Sequence, residues 1–237
     1  MPYTLIMINI KKASAMGKSD LGWLKSNFHF SFAGYYNPLN MQYGVLRVIN
    51  DDYIMPHTGF DTHPHNDMEI ISYVLEGNLS HKDSMGHSST LQRGHVQYLS
   101  AGTGITHSEY NHGDTMLHIL QIWILPDKKH VTPQYGEMRF EWENRLGKLM
   151  PIAAGDGTYP ITIHQDIHMD ALFLHSSTVF KYSIKHSRKS YVVLAEGTCT
   201  INNQKMEARD GAELPEGTYS IKAETDCHLL FIEMKKA

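Results

Sequence analysis

The sequence predicts an all-β protein arranged as two tandem β-barrels, and three observations carry that expectation. Long helical periodicity is nearly absent. In its place stand short alternating or β-branched runs punctuated by Gly, Asp, Asn and Pro. One strand–turn–strand pattern also occurs twice along the chain. With 237 residues, 41% hydrophobic and 19% charged, the chain can bury a core in one large or two small domains. This excludes a disordered chain and a mini-protein held by disulfides.

Taken in order, Phe28, Phe30 and Phe32 alternate with His29 and Ser31 as a half-buried strand does. Residues 43–49 (YGVLRVI), 70–75 (IISYVL) and 116–125 (MLHILQIWIL) read as strands burying at least one face. Residues 126–160 are richer in charge, Gly and Pro, and read as a crossing between two modules that carries a short helix. The repeat is Tyr73-Val-Leu-Glu-Gly77 echoed by Val193-Leu-Ala-Glu-Gly197. A second glycine-punctuated strand follows each copy, at Gly94 and at Gly211. The expected division is an N-terminal domain over residues 1–140 and a C-terminal domain over 141–237.

Charge narrows the functional classes. Twenty-one basic residues against 25 acidic, net −4, argue against a nucleic-acid or anionic-membrane binder. No apolar run approaches the roughly 20 residues that span a bilayer. Residues 1–10 (MPYTLIMINI) are apolar but lack a basic start, so no secretory signal is expected. Cys199 and Cys227 make no disulfide framework and read as buried, inert thiols; a reducing cytoplasm is the simplest setting. Histidine stands out: 16 in all, nine of them from His57 to His118.

Within that stretch, His63 and His65 lie two residues apart, and on a strand their imidazoles share a face. Forty-two residues after His65, His107 and Glu109 repeat the device. Two such pairs on neighbouring strands would bring three nitrogens and a carboxylate to one point, a set suited to a divalent first-row metal with open positions. A single HxH arises by chance in a histidine-rich chain; two same-parity pairs, each beside Gly or Pro, coincide far less often. Glu69 keeps the strand parity of His65 and is a rival carboxylate, as ligand or as supporting partner. Spacing alone leaves Glu69 and Glu109 both open.

These residues bring a family into view. Residues 59–111 resemble the double motif of the cupins, and specifically the pirin family, through THPHNDMEIISYVLEG (62–77), HKDSMG (81–86) and LSAGTGITHSEYN (99–111). The likeness continues through LHILQIWILP (117–126), GWLKSNFHFSFAGYYNP (22–38) and LRVINDD (46–52), and loosely from about Ile8 to the C-terminus. The first six residues lie outside it and read as either a disordered segment or an alternative-start extension ahead of Met7. Three residues rather than the usual five precede the HxH after Gly59, and Ser100-Ala101-Gly102 replaces the usual proline-glycine. Both departures resemble pirin traits.

The resemblance implies a bicupin, two jelly-roll-like barrels with metal in the first. It implies His63, His65, His107 and Glu109 as metal ligands and excludes Glu69. It also implies a metal-dependent dioxygenase, tested in the family on quercetin, that cleaves flavonols with O2 and releases carbon monoxide. Glu109 would then double as the base for the substrate 3-hydroxyl. The expected cofactor is one divalent ion, Fe(II) first, with Mn, Co, Ni, Cu and Zn all tolerated by these ligands. The expected partners are a flavonol-like aromatic and O2, with neither nucleic acid nor membrane. The family also contains metal-responsive regulators that act through protein partners, an alternative from a different class.

The second module has no matching site: His186-Ser187-Arg188 is not an HxH, and no HxE follows Gly211. His118 shares parity with Leu120, Ile122 and Ile124 and is expected in a barrel interior, either behind the site or as a hydrogen-bonded core histidine. Gly102-Thr103-Gly104 reads as a tight turn, since no Lys and helix follow to make a phosphate loop. The basic cluster of Lys181, Lys185, His186, Arg188 and Lys189 reads as a solvated face. Phe28, Phe32 and Met41 could equally wall a pocket or fill a core.

Overall fold

The computed structural model describes residues 7–236, so the reading of the first six residues lies outside it. The chain folds as two compact units. One comprises Met16–Glu141 and Gly155–Gln165; the other falls within Met1–Ala15, Trp142–Ala154 and Asp166–Ala237.

Each unit is a pair of antiparallel sheets. In the first, the smaller sheet orders its strands Thr58–His65, Ile105–Asn111, Asn78–Asp83 and Ser88–Gln92. The larger runs Gln134–Met138, Val96–Ser100, Glu69–Glu76, Leu117–Ile124, Leu46–Ile54, Leu24–Phe28 and Gly17–Asp20. Leu79 and Leu91 from the small sheet pack with Leu24, Ile54, Val74, Leu117 and Ile119 from the large one, closing a sandwich of jelly-roll type.

The second unit repeats this order. Its smaller sheet runs Val179–Ile184, Gly217–Ala223, Thr198–Ile201 and Gln204–Glu207. In its larger sheet Gly211–Leu214, Arg188–Glu196, Cys227–Lys235, Ile167–Leu174 and Met150–Ala154 follow one another. One edge strand here is Asn9–Lys11, with Asn9 opposite Glu213. The start of the described chain therefore joins the sheet of its C-terminal half, a pairing between residues some 200 apart in sequence that no local pattern announces.

The echoed pentapeptides occupy equivalent places. Gly77 ends Glu69–Glu76 and Gly197 ends Arg188–Glu196, both at positive φ (77° and 83°). A Cβ at either would sit 2.7 Å from Met116 O or 2.1 Å from Asp226 O, where the next strand of the same sheet approaches. Glycine is required twice for the same reason.

Local strand readings shift in two places. The run at 43–49 becomes Leu46–Ile54, because Gly44 takes a left-handed turn (φ 58°) and the strand continues through Asn50, Asp51 and Asp52, whose side chains are buried. The alternating phenylalanines do not share a strand: Leu24–Phe28 ends at the first, and Phe32 forms an isolated bridge with Tyr35. The stretch 126–160 is less a crossing than expected, since Gln134–Met138 and Met150–Ala154 are sheet strands and its helix is a single 3-10 turn, Trp142–Arg145.

Candidate metal centre

Strands Thr58–His65 and Ile105–Asn111 pair antiparallel with His63 opposite His107 and His65 opposite Ile105. Strand parity then puts all three imidazoles on one face, with ring centroids 4.6–4.9 Å apart. One ligand-type nitrogen from each lies within 4.8 Å of the others. His63 Nδ1 sits 2.7 Å from the carbonyl of Asp61; a proton there leaves Nε2 as the free acceptor. His65 Nε2 and both ring nitrogens of His107 are buried with no hydrogen-bond partner.

Unpartnered buried nitrogens are costly unless something else binds them. Three neutral imidazoles so close suit one divalent ion held at about 2.0–2.1 Å. Burial, reinforced by the neighbouring His107 and His63, pushes the His65 imidazole down to about 4 against the pull of Glu109. Burial also lowers His107. Both rings are therefore held in the neutral form that ligates metal.

Glu109 lies on the same strand face as His107 but is not in the close group of three. The register slips between the two, so Glu109 faces Phe60. Its carboxylate is fully buried and cradled: Ser72 Oγ (2.8 Å) and Gln97 Nε2 (2.9 Å) donate to Oε1, and Gln121 Nε2 (2.6 Å) donates to Oε2. These donors form one cross-strand row of the larger sheet, Gln121 opposite Ser72 and Ser72 opposite Gln97. The rows on either side are apolar, Trp123–Ile70–Leu99 and Ile119–Val74. Three polar side chains thus meet one carboxylate from the opposing sheet and offset its desolvation.

The second unit shows the same framework without the chemistry. Tyr182 faces Tyr219 where His63 faces His107, and Ile221 pairs with Ile201 as Glu109 pairs with His81. Val192, Ala212 and Phe231 form the row corresponding to Ser72, Gln97 and Gln121. All seven belong to its apolar core.

Glu69 is committed elsewhere. Ser100 Oγ donates to its Oε1 (2.6 Å), while Tyr98 OH (2.7 Å) and the backbone N–H of His164 (3.0 Å) donate to Oε2. Burial and this carboxylate together push the Tyr98 hydroxyl far above its usual range. His118 does not face the barrel interior: it alternates with Gln121 and Trp123 and lies on the opposite side of the sheet. There Nε2 meets Asp51 Oδ1 at 2.7 Å and the ring stacks on Tyr53 at 4.0 Å. It is a hydrogen-bonded core histidine.

Sequence reasoning gave no role to His81, Asp83 and His87, although it noted the HKDSMG segment. The His81 ring lies 5.5 Å from that of His107, and its Nε2 meets Asp83 Oδ2 at 3.1 Å. His87 Nδ1 meets the same oxygen at 2.9 Å, and Tyr135 stacks on both rings. Burial opposes ionisation of Asp83, yet hydrogen bonds from His81, His87 and the backbone of His87 and Met85 outweigh it and hold the carboxyl below its usual value. The donors to Glu109 were also missed. Their signal was a lone polar residue in an apolar strand, Ser72 in IISYVL and Gln121 in ILQIWI.

A cavity of about 290 Å³ opens over His63 and His65, at the lower edge of the ~300–1,000 Å³ typical of small-ligand clefts. Leu24, Phe28, Phe32, Phe60 and Trp123 give it apolar walls, and Met41 does not line it. Phe28 and Phe32 are thus pocket walls as well as packing residues.

A two-barrel fold with one histidine-lined centre and one apolar barrel defines a bicupin with, among the described residues, a single candidate metal site. A family profile described as Pirin matches residues 9–124, and one described as Quercetinase C-terminal cupin domain matches 152–234. A quercetin 2,3-dioxygenase of Escherichia coli is 40% identical over 230 residues, covering 96% of this chain and 99% of that one. A pirin-like protein of Caulobacter vibrioides is 40% identical with the same coverage. The crystal structure of the bacterial pirin YhhW from Escherichia coli in complex with nickel(II) superposes with a TM-score of 0.91 at 38% identity, covering 98% of this chain and all of that one. The chain belongs to the pirin family.

Proposed function

We propose that this protein is a metal-dependent dioxygenase that cleaves quercetin-like flavonols with O2 and releases carbon monoxide. The observation that carries the reading is the convergence of three histidines, two of them with buried unpartnered nitrogens, beneath an aromatic-walled cavity. His63, His65 and His107, with Glu109, are the residues that would hold the ion, and Fe(II) is the ion proposed. When bound, a divalent metal supplies Lewis acidity and an electron path between flavonolate and dioxygen.

The chain's own residues supply the rest. Phe28, Phe32, Phe60 and Trp123 bury a flat aromatic body and exclude water from the histidine side of the cavity. Glu109 Oε2, engaged by one donor, accepts the proton of the substrate 3-hydroxyl. Ser72, Gln97 and Gln121 hold the carboxylate in place while it does so. The second barrel, lacking these groups, has a structural role.

The test is anaerobic reconstitution with Fe(II), then with other divalent ions, followed by quercetin turnover with oxygen uptake beside His63→Ala and Glu109→Ala. Turnover that requires metal and vanishes in both variants supports the reading. Stoichiometric metal binding with no turnover for any ion sinks it and favours a metal-responsive regulator. No metal binding at all overturns the ligand set.

A further inference from the structure

The cavity wall contributed by the larger sheet is polar in a way that the proposed reaction does not use. Ser19 faces Ser26, and Ser26 faces Asp52, in one cross-strand row; Phe28, Asn50 and Gln121 form the next. Ser19, Ser26, Asn50 and Asp52 all line the cavity together with His63 and His65.

Asn50 is the informative member. Asn50 is 4% exposed, and its Oδ1 is buried without a hydrogen-bond partner. Neighbours in the row leave it unserved: Phe28 has no side-chain polar atom, and Gln121 directs Nε2 at Glu109 and takes Trp123 Nε1–H on Oε1. An unpaired buried amide oxygen destabilises the empty pocket. Rotation about χ2, which is soft for an asparagine amide, would turn it toward a ligand hydroxyl and relieve that cost, and the apolar walls around it would strengthen the bond.

We propose that Asn50, with Ser26 and Ser19 beside it, is a hydroxyl-recognising subsite that sets substrate specificity. It selects aromatic substrates carrying a phenolic hydroxyl in addition to the oxygen offered to the histidines. The subsite rests on the dioxygenase reading for the aromatic scaffold alone; hydroxyl selection follows from the wall itself.

The experiment compares three probes on the Ni(II)-loaded protein: 3-hydroxyflavone, derivatives with one further ring hydroxyl, and their methyl ethers. Dissociation constants come from quenching of tryptophan fluorescence, and turnover of the same probes is followed separately on the Fe(II)-loaded protein. At least one hydroxylated probe is expected to bind about tenfold or more tightly than both its ether and the parent, as a site built around a hydrogen bond requires. Asn50→Leu is expected to level the three affinities without weakening the parent compound. The ether comparison on the unsubstituted protein decides the matter even where that variant fails to fold.

Equal affinities for hydroxyl and ether overturn the subsite, and turnover of both leaves the dioxygenase standing. Discrimination without any turnover supports the subsite and sinks the dioxygenase. Failure of every probe to bind overturns both.

Discussion

The cradle around Glu109 should appear as coupling energy between two side chains. Gln121→Leu removes the 2.6 Å bond from Nε2 to Glu109 Oε2 and strands the Trp123 Nε1–H, whose acceptor at 3.1 Å is Gln121 Oε1. A bond to a charged group contributes about 1.5–3 kcal/mol and a neutral one about 1 kcal/mol, so the variant loses about 2.5–4 kcal/mol. Packing changes little, because leucine is near glutamine in shape and the corresponding residue of the second unit is the apolar Phe231. Glu109→Leu alone leaves Ser72, Gln97 and Gln121 as buried donors without their acceptor. The double variant removes the Gln121 donor together with that acceptor. Its loss should therefore fall short of the sum of the two single losses by about 1.5–3 kcal/mol. Urea unfolding of the metal-free wild type and three variants, with midpoints and slopes, measures the cycle. Additivity within about 0.5 kcal/mol, the scatter expected for independent sites, would refute a direct bond between these groups.

Four further outcomes follow from the same geometry. His107→Phe, which replaces two unpartnered buried nitrogens with an aromatic edge, should leave the metal-free protein at least as stable as wild type in urea; a marked loss would mean the imidazole is already satisfied. Metal at a hundredfold excess over Kd should stabilise the wild type by about 2.7 kcal/mol and leave His107→Phe unchanged, as read by thermal unfolding with and without Ni(II). Gly77→Ala meets both a left-handed backbone and Met116 O at 2.7 Å, and should cost about 1–3 kcal/mol by thermal melts; a change within 0.5 kcal/mol, roughly the range of a neutral surface substitution, would contradict that approach. His118→Leu takes away a partner of buried Asp51 on the far face of the sheet, so it should lower the unfolding midpoint while metal affinity by titration stays at the wild-type value. Lost metal affinity would place His118 behind the site after all.

The sequence by itself determined the alternation that makes strands and the parity that puts His63 beside His65 and His107 beside Glu109. Those are local properties, fixed by a two-residue period within one strand, so they survive any choice of partner. The same holds for Gly77 and Gly197, whose repeated setting exposed the second barrel. Tertiary structure decided what depends on register between strands far apart in the chain. Glu69 and Glu109 have equal claims by parity. The fold gives one to Tyr98, Ser100 and the His164 backbone, and the other to Ser72, Gln97 and Gln121, donors from three strands that no spacing aligns. His118 shows the same limit from the other side: parity separates it from Gln121 but cannot say which face is the interior. That is set by which sheet packs opposite, a contact made between residues brought together only when the sandwich closes.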